Sequence, residues 1–225
     1  MEDLVIWSFA FKGMNIHITL SMLLQVVVSL LIIGVAFYLT KNLKKFPDKK
    51  QSVLELFIVK LHGVIKENMG GNYFSFAPFI GTLAIYLGSL NLIGLFGISP
   101  PTTDFSVAFG LGLISFIVIQ AYTIKKIGIL HYFGGYAKPI AVLLPINIME
   151  RFVFPLSLAL RLFGNMFAAT MVMDLLYEAL AHISIFAQFG VPIALHAYFD
   201  IFDGTLQMVI FVMLTMINIK IISEH

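Results

Sequence analysis

The 225-residue chain contains no cysteine. Disulfides, thiolate metal sites and cysteine nucleophiles are therefore excluded, although this does not fix a redox compartment. Charge is scarce: 12% of the residues are Asp, Glu, Lys or Arg, against roughly 25% in soluble globular domains. A net charge of +2 gives no reason to expect a nucleic-acid partner. No phosphate-binding glycine loop is present, so the chain offers no ATP site of its own. The six histidines, at 17, 62, 131, 182, 196 and 225, show no close pairing of the kind a metal site needs. No cofactor is expected. What remains is apolar: 60% of the residues are hydrophobic and the mean hydropathy is +0.97. A soluble protein of this size could not hide so much apolar surface, and a bilayer is the natural solvent.

The hydrophobic pattern predicts an all-α integral membrane protein of about five transmembrane helices, organised as a single membrane domain over 1–225. Glu2 and Asp3 stand where a signal peptide would carry basic residues, and no small-residue cleavage site follows the first apolar run, which is expected to be a retained helix. Residues 18–40 are uncharged and long enough for a first span. The lysine-rich segment 41–67 follows. Within it, Glu55, His62 and Lys66 share one helical face, while Val53, Leu54, Phe57, Leu61, Val64 and Ile65 lie opposite, as in an amphipathic helix on the membrane surface. After a break at Gly70-Gly71-Asn72, residues 74–124 form a hairpin of two spans around the turn SPPTTD, and 146–222 form a long hairpin. The arms of that last hairpin, about 146–177 and 191–222, would each measure ~48 Å as straight helices. Against a hydrocarbon core of ~30 Å they are expected to tilt steeply. Loops 41–67 and 125–138 hold ten lysines, and loop 99–104 has no lysine or arginine. The lysine-rich side is expected to be cytoplasmic, with the N-terminus outside and the C-terminus inside.

Between Phe152 and Ile219 only five residues are charged: Arg161, Asp174, Glu178, Asp200 and Asp203. Arg161 is the only base and sits halfway along its helix. A charge at that depth costs from ~3 to over 10 kcal/mol and marks function by default. A structural arginine paired within the chain is the bland reading, but no acid lies at an obviously matching depth. Ser157, Arg161 and Asn165, spaced by four, share one face. Thr170 and Asp174 lie on another, with Glu178 a turn beyond. On the last helix His196, Asp200, Asp203 and Gln207 fall within about 60° of one another at ~100° per residue. This stripe is read as a wet polar track from the outer surface to mid-membrane; the bland alternative is acids meeting headgroups.

SLALRLFGNMFA, residues 157–168, resembles the signature of subunit a of F-type ATP synthases. The preceding PINIMERFVFPLSLAL looks like the lead-in segment of bacterial members, DIFDGTLQMVIFVMLTMINI like the family's last helix, and residues 91–113 like its second hairpin. The resemblance covers about residues 74–222. It implies a stator ion-channel subunit, not catalytic by itself, in a bacterial plasma membrane. Its partners would be the rotating c-ring, peripheral-stalk b subunits and lipid, and its cargo H+ or Na+. Arg161 matches the essential arginine facing the ring carboxylate; Asn165 and Gln207 match polar residues beside it. Three positions depart from common patterns: Thr170, where many members have glutamate and for which Asp174 could substitute; Asp200, where some have histidine; and Gly94, where some have aspartate. The alternative from another class is a small secondary transporter whose Arg161 binds an anion. It is weakened by the absence of an inverted repeat and of paired broken helices.

Overall fold

The computed structural model describes residues 5–11, 14–129, 132, 144–182 and 187–224. Five stretches are long and apolar enough to cross a membrane: Leu20–Thr40, Gly71–Phe96, Phe105–Ile127, Leu144–Ala181 and Gly190–Ser223. The expectation of an all-α protein with about five spans holds, with one addition. Ahead of the first span, β1 (Val5–Phe11) pairs antiparallel with β2 (Met14–Thr19), Phe11 opposite Met14 and Ser8 opposite His17. Residues 5–19 are therefore not the helix that an apolar run there suggests. VIWSFAF is rich in β-branched and aromatic residues, and so short a run does not distinguish strand from helix by periodicity.

Helix α1 (Leu20–Thr40) starts where the Thr19 hydroxyl accepts from the amide of Met22. It stands at the edge of the bundle, and Val28 is its only buried residue. The lysine-rich link leads to α2 (Lys49–Asn68), the expected amphipathic helix, which buries Ile65 and half-buries Leu61. Leu61 rests on the bare Cα of Gly81, where a methyl group would come within 2.9 Å of it. Gly70, at φ 97°, makes the break that the Gly-Gly-Asn sequence predicts.

The second span is a 3-10 turn (Gly71–Phe76), α3 (Ala77–Asn91) and a second 3-10 turn (Leu92–Phe96). Gly97, at φ 73°, turns the chain into SPPTTD, and Asp104 caps α4 (Phe105–Ile127) by accepting from the amide of Ser106 at 2.8 Å. Helix α5 (Leu144–Ala181) runs unbroken for 38 residues, about 57 Å at 1.5 Å per residue. The last arm is less regular than expected. It comprises α6 (Ala187–His196), a π-helical stretch (Ala197–Asp203) and α7 (Gly204–Glu224). Lys138 and the glycines at 134 and 135, assigned to a loop, lie outside the described residues, as does 183–186 of the turn between the long arms.

The core forms where α3, α4, α5 and α7 meet, around Ile80, Leu87, Ile119, Leu162, Met166 and Met216. Helices α4 and α5 approach closely where Gly112 faces the backbone oxygen of Pro155: a methyl at 112 would lie 2.7 Å from it. At the lysine-rich end of the bundle, the Tyr73 hydroxyl hydrogen-bonds Ser223 Oγ at 2.8 Å, and Lys126 Nζ lies over the Tyr73 ring. This ties the chain's last turn to the start of the second span.

Candidate functional site

Helix α5 sorts its residues cleanly. Leu158, Ala159, Leu162, Met166, Ala169 and Met173 turn into the bundle. Ser157, Arg161 and Asn165 are exposed on the face away from it. Arg161 lies ~26 Å from the start of the helix and ~30 Å from its end. No hydrogen bond or ion pair reaches its guanidinium among the described residues. The bland reading, an arginine paired within its own chain, finds no support. A permanently protonated group stands mid-span on an outward surface, where lipid could not solvate it.

On the other side of α5 lies a cavity of about 200 Å³. Thr170 is ~180° around the helix from Arg161, counting ~100° per residue, and it lines this cavity together with Asp174 and Tyr177. The facing wall carries His196 and Asp200, and the chain from Gly94 to Pro100 closes it. Asp200 Oδ2 is 2.6 Å from His196 Nδ1, and His196 Nε2 is 3.1 Å from the Tyr177 hydroxyl. A buried carboxylate, only 6% exposed, thereby has an imidazole partner, which in turn reaches across to α5. Thr170 Oγ1 donates back to the carbonyl of Met166.

The remaining residues singled out in the sequence lie apart from this group. Glu178 is exposed and outside the cavity. Asp203 is half-buried and also outside it. The reason is local: residues 197–203 follow an i→i+5 ladder, so a stripe counted at α-helical pitch slips between Asp200 and Asp203. Gln207, 5% exposed, faces the bundle interior from α7. No three His, Asp or Glu side chains gather as a metal would require among the described residues.

Sequence reasoning missed three participants. Tyr177 follows Asp174 by three and Thr170 by seven, a spacing that already places it on their face. Asn91 and Thr102 are fully buried and bonded to each other, the hydroxyl donating to Asn91 Oδ1 at 3.1 Å. Asn91 also donates to the carbonyl of Gly204 at 2.9 Å, just past the π stretch. An asparagine inside an otherwise apolar span was the available signal.

The family model described as "ATP synthase A chain" matches residues 21–220. The chain belongs to the ATP synthase subunit a family. The sodium-ion-specific ATP synthase subunit a of Propionigenium modestum is 32% identical over 222 residues, covering 90% of this chain and 73% of that protein. The ATP synthase subunit a of Staphylococcus carnosus is 35% identical and covers 95% of each chain. That of Moorella thermoacetica is 33% identical, with 84% of each covered. As a member of this family the chain is an ion-translocating component of the membrane sector, multi-pass and not catalytic by itself. An arginine midway along a long apolar helix, with no partner among the described residues, fits an ion-translocating subunit whose working surface faces outward.

Proposed function

We propose that the chain provides two laterally offset half-channels, one open to each side of the membrane, against a rotating ring of small subunits. An ion enters one, binds a ring carboxylate, travels with the ring for almost a full turn and leaves by the other. The observation that carries this reading is Arg161, exposed halfway along α5 with no partner among the described residues. A bare ring carboxylate passing that face needs a counter-charge in low dielectric, and a guanidinium supplies one that stays protonated. The same charge repels cations and prevents a direct hop between the half-channels. At 100 mV each charge carried is worth ~2.3 kcal/mol, and a short circuit would dissipate it.

The cavity of Thr170, Asp174, Tyr177, His196 and Asp200 is the outer access path in this reading, with Asp174 taking the place of a glutamate at 170. Ser157 and Asn165 flank the arginine, Gln207 lies deeper on the route, and Glu178 and Asp203 belong to its outer rim. The chain acts as one membrane domain in a bacterial plasma membrane, lysine-rich side inward, N-terminus outside and C-terminus inside, with peripheral-stalk b subunits holding it against the ring. Steep tilt of the two long arms lets them follow the ring's curved surface and shortens the reach of the ~57 Å α5 across the membrane.

The test is ATP-driven transport by the complete complex in proteoliposomes, with and without sodium and with a protonophore. Coupled transport that Arg161→Ala abolishes is the expected result, and the protonophore arm identifies the ion. Near-normal pumping by Arg161→Ala would overturn the reading.

A further inference from the structure

Gly94 and Asp200, positions where the family resemblance leads one to expect aspartate in some members and histidine in others, form one contact in the structure. A methyl group on Gly94 would lie 2.6 Å from Cγ and 2.9 Å from Oδ2 of Asp200, and closer still to Oδ1. Those three carboxylate atoms are the nearest to it. Gly94 is not among the glycines with positive φ, so position 94 requires glycine for space and not for backbone freedom. The carboxylate seated there meets His196 Nδ1 at 2.6 Å. From behind, Asn91 binds the carbonyl of Gly204 and Thr102 binds Asn91, pinning the end of the π stretch that carries Asp200. π turns are rare and concentrate at functional sites, and this one is held by buried polar groups on both sides of position 94.

We propose that Gly94 is a positioning residue for ion passage: its missing side chain seats the Asp200 carboxylate against His196 in the wall of the outer access cavity. The inference rests on reading that cavity as the access path. The other titratable groups in the wall are Asp174 and Tyr177 from α5; the segment from Gly94 to Pro100 adds none. Any side chain at 94 displaces the carboxylate, separates it from His196 and leaves the cavity's charge elsewhere.

The test uses the complete ATP synthase carrying Gly94→Ala, Asp200→Asn or both, reconstituted in liposomes. ATP-driven membrane potential is followed with a dye over a range of pH. Gly94→Ala should move the carboxylate away from His196, slow charge movement about tenfold, which is ~1.4 kcal/mol, and shift the pH profile as Asp200→Asn does. The double variant should be no slower than the slower single one, because both act on one carboxylate. Normal rates in Gly94→Ala beside slow rates in Asp200→Asn would overturn the inference alone, as would multiplying effects in the double variant. Normal rates in Asp200→Asn would overturn the access-path reading and the inference with it. If Gly94→Ala fails to assemble, Gly94→Ala/Asp200→Ala should assemble, since the volume is then free; failure there would show that the glycine serves another contact and overturn the proposal.

Discussion

Replacing Arg161 by alanine removes the one charge on the outward face of α5 at mid-span. Its helix extends ~26 Å on one side of it and ~30 Å on the other, so no base at either end of α5 reaches the same place. The nearest base on α5 is Arg151, ten residues away, or ~15 Å. In the proposed mechanism, a ring carboxylate about 4 Å from the guanidinium gains ~4 kcal/mol at an effective dielectric of 20. Without the guanidinium that stabilisation is lost at the point where the carboxylate must be ionised to pass. At ~1.4 kcal/mol per tenfold, ring advance should slow by about a thousandfold. Lysine should recover little of this, because an ammonium is more strongly hydrated and loses its proton more readily when desolvated. The assay is ATP-driven membrane potential in proteoliposomes, with ATP hydrolysis by the detached peripheral sector as the control for enzyme content. A rate for Arg161→Ala within about tenfold of the parent would refute the electrostatic argument, since it would leave at most ~1.4 kcal/mol for the interaction.

Three further outcomes follow from the structure. Asp174→Ala should slow transport more than Glu178→Ala or Asp203→Ala, because only Asp174 of the three lines the cavity; equal effects in all three would point to a general surface charge instead. Cysteines introduced at Lys45 and Lys126 should label from the cytoplasmic side only, and one at the exposed Ser99 from outside only; labelling of position 45 from outside would invert the topology. Tyr73→Phe removes the buried bond to Ser223 and should lower the stability of the detergent-solubilised complex by about 1 kcal/mol, read as a fall in Tm, while leaving the ion specificity unchanged.

The spans were legible because charge-free runs of adequate length are hard to mistake, and the amphipathic α2 because its polar and apolar residues separate on one wheel. Arg161 was legible for the opposite reason, as a lone charge in an apolar helix. The N-terminal hairpin was not, since seven residues of mixed aromatic and aliphatic character satisfy either period. The π stretch left no compositional trace. Its one consequence, Asp203 falling out of line with Asp200, is a matter of pitch, which a wheel drawn at ~100° per residue fixes in advance. The seating of Asp200 on Gly94 was beyond reach because it joins residues far apart in the chain through shape alone. Asn91 could have been found: an amide in a span demands a partner, and here it has two.

The close approach of Gly112 to Pro155 has a mechanical consequence. In the proposed mechanism, a ring carboxylate attracted to Arg161 pulls on α5 sideways as the ring moves past. α4 backs α5 on both sides of the arginine: Pro155 on Gly112 lies six residues away, or ~9 Å along the axis, and Phe163 against Phe105 only two residues away. The deflection of a loaded beam grows with the cube of the distance from its support, so a load this near a fulcrum bends the helix little. The stator thus answers drag with stiffness at the place where the load is applied. A bulkier residue at 112 would lift α5 off that fulcrum and let the arginine trail the ring.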